Sequence, residues 1–157
     1  MIDKKKHYRI GVISDTHGKL PVSLNKAFQK TDLILHAGDI GSSGILERLN
    51  SIAPTVAVRG NMDFAPDAHD LNKTETIQVG DIVIHLRHIL DNTHAVPSSA
   101  NIDVVIFGHT HRREAKRLGG TLFLNPGSAG QRRHGNPLSV ALLKVEGKDI
   151  SFKFIEV

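Results

Sequence analysis

The chain has 157 residues, of which 39% are hydrophobic and 23% are charged, and its formal net charge at pH 7 is +4. This length and composition predict one globular domain over residues 1–157. The absence of cysteine fits the cytoplasm, which is the expected location. The sequence lacks an apolar run near the roughly 20 residues of a membrane span, and the absence of cysteine excludes disulfides and thiolate metal sites.

Strands and helices are predicted to alternate through the first part of the chain. Short runs rich in Ile and Val predict strands at 9–14, 32–37 and 55–58. Apolar residues at helical spacing predict helices at about 21–30 and 45–52, the second one capped by Ser42 or Ser43. Strands linked through helices at this spacing form right-handed crossovers, so the first half is expected to build a parallel sheet.

The second half is predicted to be rich in antiparallel strands. Two alternating runs around Gly80-Asp81 indicate a hairpin over 74–86, and 103–107 has the pattern of a buried strand. Further turns are expected at Gly119-Gly120 and at Gly147-Lys148, the latter within the last hairpin of the chain. The remaining stretches, 63–73 and 91–101, are predicted to be loops or short helices.

Polar side chains follow five of the predicted strands at the point where each strand ends. In chain order they are Asp15 with His17, Asp39, Asn61, His88, and His109 with His111. Because the carboxyl ends of parallel strands meet at one edge of a sheet, where ligands bind, we expect these side chains to converge. Gly38, Gly60 and Gly108 each precede one of them, where the strand must turn sharply and the backbone must come close to other groups.

The predicted cluster has the chemistry of a site for transition-metal ions. The chain holds ten histidines, and histidine is the commonest metal ligand. Oxygen atoms from Asp and Asn mixed with imidazole suit Mn, Fe, Zn, Ni or Co rather than calcium. Because seven side chains exceed what one ion needs, the sequence predicts two metal ions that share a carboxylate.

Five short motifs follow one another along the chain: SDTHG (14–18), HAGDI (36–40), RGNMD (59–63), FGHTH (107–111) and NPGS (125–128). In this set the sequence resembles the calcineurin-like metallophosphoesterases, and most of all their small single-domain bacterial and archaeal phosphodiesterases. The resemblance implies an α/β (α+β) fold, a four-layer α/β/β/α sandwich of two mixed β-sheets flanked by helices. It also implies a centre of two divalent metal ions, with manganese expected and zinc, iron, nickel or cobalt as alternatives.

The resemblance implies a ligand for each position of that centre. Asp15, His17 and His111 would hold one ion, Asn61, His88 and His109 would hold the other, and Asp39 would bridge both. The chain departs from the family at the end of the first hairpin, where relatives often carry HGH and this sequence reads IHLRHIL (84–90). We favour His88 as the ligand because it lies at the predicted end of the strand, and His85 is the alternative. A second departure is Met62, which stands where larger relatives place a histidine that protonates the leaving group.

The activity that the resemblance implies is hydrolysis of a phosphate ester, most of all a phosphodiester, by a hydroxide that bridges the two metal ions. Asp39, Asn61 and His109 are the expected catalytic residues, and His36 and Asn61 are the expected substrate contacts. The alternative is a non-catalytic, protein-binding scaffold on the same fold, similar to the retromer subunit whose metal site is degraded. Nucleic acid is expected only as a substrate, because one tyrosine and six phenylalanines offer no platform for stacking bases. No membrane partner is expected, and a homodimer is common among the small relatives.

Overall fold

A computed structural model describes residues 5–91 and 101–157. Its strands are β1 (His7–Ile13), β2 (Leu33–His36), β3 (Thr55–Ala57), β4 (Thr74–Val79), β5 (Ile82–Arg87), β6 (Val104–Ile106), β7 (Arg113–Leu118), β8 (Thr121–Pro126), β9 (Ser139–Glu146) and β10 (Asp149–Glu156). Its helices are α1 (Leu24–Ala27), α2 (Ser43–Ile52) and a short 3₁₀ helix (Pro66–Asp70). None of the helices in the described ranges is long and apolar enough to cross a membrane.

The strands form two mixed sheets of five strands each. Sheet 1 has the order β10-β9-β1-β2-β3, and sheet 2 has the order β4-β5-β6-β8-β7. In sheet 1, β1, β2 and β3 run parallel, and β9 and β10 pair antiparallel beside them. In sheet 2, β5, β6 and β8 run parallel, and β4 and β7 are antiparallel edge strands. The predicted α/β sandwich of two mixed sheets is confirmed, including the parallel strands of the first half.

Alternating side chains place two hydrophobic layers on the two faces of sheet 1. Ile10 and Val12 of β1 point toward sheet 2 and join the apolar layer between the sheets, with Leu86 and Ile106 on the opposite side. Ile13 points the other way and packs in the layer beneath α1 and α2. Both α-helices therefore cover the outer face of sheet 1. Residues 92–100, which make up most of the predicted loop at 91–101, lie outside the described residues.

The first helix is much shorter than the sequence pattern predicts. The prediction of a helix over about 21–30 is wrong in length, because α1 is a single turn of four residues. Leu24 and Phe28 are buried as the spacing indicated, but burial at that spacing requires only one turn. Lys30, with a φ of 65°, adopts a left-handed conformation that cannot continue a helix. The second helix begins where predicted, after Ser42, although the Ser42 side chain makes no capping hydrogen bond.

Candidate metal centre

The loops that follow the parallel strands of both sheets meet at one edge of the sandwich. The loop after β1 is held to the loop after β2 by backbone hydrogen bonds from Asp15 N to Gly38 O (3.0 Å) and from His17 N to Asp39 O (3.0 Å). The loop after β6 is held to the end of β5 in the same way, since Gly108 N donates to His88 O (2.9 Å). The sheets thereby bring together side chains that lie far apart in the sequence.

Asp15, His17 and His111 form the first group of candidate ligands. The Nε2 atom of His111 lies 3.2 Å from Asp15 Oδ1 and 3.4 Å from His17 Nε2. His17 Nε2 lies 3.9 Å from the same Asp15 oxygen. One ligand atom from each of the three residues falls within 4.8 Å of the other two, so a single ion can contact all three.

Asp39, His88 and His109 form the second group. His88 Nε2 lies 3.2 Å from Asp39 Oδ2, and the rings of His88 and His109 meet edge to face with their centroids 5.2 Å apart. Asn61 extends this group, because its Oδ1 atom lies 3.0 Å from His109 Nδ1. Buried Asp39 and His88 form the floor, and the partly exposed His109 stands at the solvent side.

The two groups adjoin each other through their carboxylates. Asp39 Oδ2 lies 3.2 Å from His88 in its own group and 3.8 Å from His17 Nε2 in the other. Asp15 Oδ1 lies 3.9 Å from His88 Nε2 across the same boundary. The structure therefore brings all seven predicted ligands to one place, with Asp39 between the two groups.

The electrostatics of the cluster fit divalent cations. Asp15 Oδ1 and His88 Nε2 are buried without a hydrogen-bond partner, which is costly unless something else satisfies them. Burial raises the pKa of Asp15 and of Asp39, but nearby histidines outweigh it and hold both pKa values below the usual range. Ionised carboxylates beside imidazole nitrogens are the donors that transition-metal ions prefer.

The backbone of the cluster is bent into an unusual conformation. Five of the seven residues have positive φ angles: Asp15 (55°), His17 (45°), Asp39 (55°), His109 (73°) and His111 (60°). The left-handed region costs a non-glycine residue roughly 1–2 kcal/mol, and such strain gathers at functional sites. At the preceding glycines there is no room for a side chain: a Cβ on Gly60 would collide with Asp39, and one on Gly108 with Ser14.

Asp63 ties two of the ligand-bearing loops together. Its carboxylate accepts backbone hydrogen bonds from Asp39 N (3.0 Å), Ile40 N (2.8 Å) and Gly41 N (3.2 Å) in one loop and from Gly60 N (2.8 Å) in the other. The four hydrogen bonds make it a brace.

Two residues of the NPGS motif hold the remaining loops, a role that sequence reasoning missed. Asn125 Nδ2 donates to Gly108 O (3.0 Å) and to Thr110 Oγ1 (3.1 Å), on either side of His109. Ser128 Oγ donates to Asp15 O (2.9 Å). The signal in the sequence was the position of this motif at the end of a strand, in line with the other four motifs.

His36 and His85 lie away from the open side of the cluster. His36 is fully buried; its Nδ1 accepts from Gly38 N (3.1 Å), and its Nε2 lies 2.9 Å from Thr16 Oγ1. Burial lowers the pKa of His36 to about 3, so the ring is neutral and both nitrogens are engaged. This placement does not favour the predicted substrate contact at His36. His85 lies on the outer face of sheet 2, where its Nδ1 is 2.9 Å from Thr76 Oγ1, whereas His88 lies in the cluster.

The geometry agrees with a comparison against protein-family models. The model of the calcineurin-like phosphoesterase superfamily domain matches residues 8–148. The chain belongs to the calcineurin-like phosphoesterase superfamily. The family resemblance predicted from the five motifs is confirmed, and the family together with the two ligand groups indicates a centre for divalent metal ions.

Three individual proteins are similar to this chain along most of their length. A probable metallophosphoesterase of Methanothermobacter thermautotrophicus is 35% identical, with 93% of this chain and 91% of that protein covered. The phosphodiesterase YfcE of Escherichia coli is 29% identical, with 83% and 84% covered. Among solved structures, Vps29 of Entamoeba histolytica complexed with zinc is 25% identical and has a TM-score of 0.73. The match covers 95% of this chain and 98% of the Vps29 chain.

Proposed function

We propose that this protein is a metal-dependent phosphodiesterase with a centre of two divalent ions. The observation that carries the proposal is the position of Asp39 Oδ2, 3.2 Å from His88 Nε2 in its own ligand group and 3.8 Å from His17 Nε2 in the other. In this assignment Asp15, His17 and His111 would hold one ion, Asn61, His88 and His109 would hold the other, and Asp39 would serve both. Manganese is the first candidate, with zinc, iron, nickel and cobalt as alternatives that the same ligands accept.

When bound, divalent ions supply Lewis acidity toward the phosphoryl group and lower the pKa of water, so that a hydroxide is available at neutral pH. The residues of this chain prepare the site for that chemistry. Burial works against ionisation of Asp15 and Asp39, but the histidines around them lower both pKa values, so the carboxylates stay negative. His88 Nδ1 lies 2.7 Å from Ala37 O, which fixes the ring so that Nε2 faces the centre.

Asn61 and His109 are the residues through which the substrate is oriented. Since the Asn61 oxygen accepts from His109 Nδ1 at 3.0 Å, the amide nitrogen of Asn61 is left to donate to a phosphoryl oxygen. Both residues reach the solvent side of the cluster, where an ester enters. Asp39 is the third proposed catalytic residue and lies beneath Asn61 and His109, in the buried part of the cluster.

The leaving group receives no proton from Met62, whose thioether cannot act as an acid. Met62 is 52% exposed beside Asn61. We therefore expect esters with acidic leaving groups to react best. Met62→His should accelerate an alkyl phosphodiester selectively over an aryl one, and an equal effect on both would contradict this point.

The test of the proposed function is hydrolysis of bis-p-nitrophenyl phosphate by protein that metal analysis shows to carry two manganese ions per chain. We expect turnover that stops with a chelator and falls at least about 100-fold in Asp39→Asn. His134→Ala, a change at an exposed histidine outside the cluster, is the matched control and should leave the rate unchanged. A fully loaded protein that cleaves no phosphate ester would refute the proposal.

The second candidate is a non-catalytic protein-binding scaffold, and the likeness to Vps29 is the observation in its favour. The complete set of seven ligands supports the enzyme instead. The same assay separates the two, because a scaffold would show no turnover.

A further inference from the structure

An apolar groove of about 360 Å³ opens beside the candidate metal centre. Its walls come from the loop after β2, from α2 and from the segment that follows Asn61, and the large apolar side chains in them are Ile40, Leu46, Met62, Phe64 and Leu71. Met62 is 52% exposed and Phe64 is 73% exposed. Large apolar side chains that remain in water around a concave surface mark a ligand site more often than a chance exposure.

The groove and the metal centre share their loops. Met62 follows Asn61 directly, and its backbone N donates to Asp39 Oδ1 at 2.8 Å. On the other wall, Ile40 O accepts from Gly18 N at 2.8 Å, in the turn that carries His17. An ester group attached to a phosphoryl group beside Asn61 therefore meets Met62 first and then the rest of the groove.

The lining of the groove selects an uncharged, apolar occupant. The ionisable side chains in it are Glu47 and Asp63, and the carboxylate of Asp63 already accepts four backbone hydrogen bonds. The negative charge of Glu47 repels an anionic group, and none of the lining residues is a cation. The volume lies at the lower end of small-ligand pockets, which fits one or two rings rather than a segment of a protein.

We propose that this groove binds an aromatic or similarly apolar ester group of the phosphodiester and is the specificity site of the enzyme. The inference rests on the proposed function, because the groove is assigned to the substrate of that centre. Phe64 forms its outer wall, and the flexible Met62 side chain can adapt to rings of different shape.

The experiment compares two methyl esters that differ in the leaving group beside Met62, methyl phenyl phosphate and methyl 2,2,2-trifluoroethyl phosphate, in the manganese-loaded protein. The chemical difference between the esters cancels when their kcat/KM ratio is compared between proteins. We expect Phe64→Ala to lower the kcat/KM ratio of the phenyl ester to the trifluoroethyl ester about fivefold to tenfold, because part of the ring's apolar contact is lost. Leu118→Ala, which removes a side chain that is 52% exposed on the edge strand β7, is the matched control and should leave the ratio unchanged.

A binding measurement makes the result independent of turnover. Calorimetry with phenylphosphonate and methylphosphonate should show the same loss of preference for the phenyl compound in Phe64→Ala. An unchanged ratio in both measurements overturns the groove assignment while the proposed function stands. If neither ester is hydrolysed, the proposed function fails, and the phosphonate pair still tests the groove. A change of oligomeric state in Phe64→Ala with an unchanged ratio would instead make the groove an interface with a second copy, and would overturn the inference.

Discussion

Replacing Asp63 by asparagine is the most direct way to separate loop bracing from metal binding. The Asp63 side chain is nearly buried, with 7% exposed. Its Oδ1 accepts from Ile40 N and Gly41 N, and its Oδ2 accepts from Asp39 N and Gly60 N. Asparagine keeps the shape of the side chain, but its amide nitrogen must face two of these N–H groups and cannot accept from them.

The expected loss of stability follows from those contacts. Two buried N–H groups lose their acceptor, at about 1–3 kcal/mol each. The other two hydrogen bonds change from charged to neutral and weaken by about half, which costs roughly 1 kcal/mol for each. The sum is about 4–8 kcal/mol, a large part of the roughly 5–15 kcal/mol that stabilises a folded domain. Because the brace positions Asp39 and the loop of Asn61, manganese affinity should also fall about 10–100-fold.

Urea unfolding in the presence of a chelator measures the first effect, and calorimetric titration with manganese measures the second. Asp81→Asn is the matched control, since it removes the same charge at an exposed turn between β4 and β5. A stability loss below about 1 kcal/mol in Asp63→Asn would refute the hydrogen-bond reasoning. A large stability loss with unchanged manganese affinity would show that the brace does not position the ligands.

Three further changes test other parts of the site. Because burial holds the pKa of His36 at about 3, below the 6.5 of an unfolded chain, stability from the neutral ring is fully present above pH 6.5 and is lost as pH falls toward 3. The free energy of unfolding of the metal-free protein should therefore fall by up to about 5 kcal/mol over that pH range. Urea unfolding of His36→Gln should show a weaker dependence on pH. An equally steep dependence would argue against a neutral buried ring. Gly108→Ala should destabilise the protein by about 2 kcal/mol, because the new Cβ collides with the loop after β1. In the control, Gly44→Ala in α2, the new Cβ meets nothing within 4 Å, and the protein should be stabilised by about 0.5–1 kcal/mol. Equal effects of the two substitutions would contradict the close approach at Gly108. His88→Ala should lose bound metal in elemental analysis while His85→Ala keeps it, and the opposite result would reassign the ligand.

Most strands could be predicted from the sequence because their signals are local. The hairpin around Gly80-Asp81 and the last hairpin around Gly147-Lys148 both form where the turn residues indicated. The length of α1 could not be predicted, because apolar spacing reports which residues are buried and not how many turns connect them. Only the backbone shows that Lys30 turns left-handed and ends that segment.

The residues of the cluster could be predicted because they lie in short motifs at the ends of strands. The residues that hold the cluster in place could not be predicted. Asp63 holds the N–H groups of residues 22–24 positions away in the sequence, and no local pattern distinguishes such a brace from a ligand. His36 has the same limitation. It stands in a site motif, and only its contacts with Gly38 and Thr16 show that its ring nitrogens are already in use.

The strained backbone is the feature that connects the fold to the function. With five cluster residues in the left-handed region, the strain of roughly 1–2 kcal/mol per residue amounts to about 5–10 kcal/mol. That is comparable with the net stability of a whole domain. Such a geometry persists only where surrounding contacts impose it, and Asp63, Asn125 and Ser128 supply those contacts. Most side chains of the two hydrophobic layers come from strands and helices that lie outside these turns. What the turns achieve is to aim carboxylates and imidazoles at one another, and they leave Asp15 Oδ1 and His88 Nε2 buried without a hydrogen-bond partner. Such atoms are costly unless something else satisfies them, which supports the proposed metal centre.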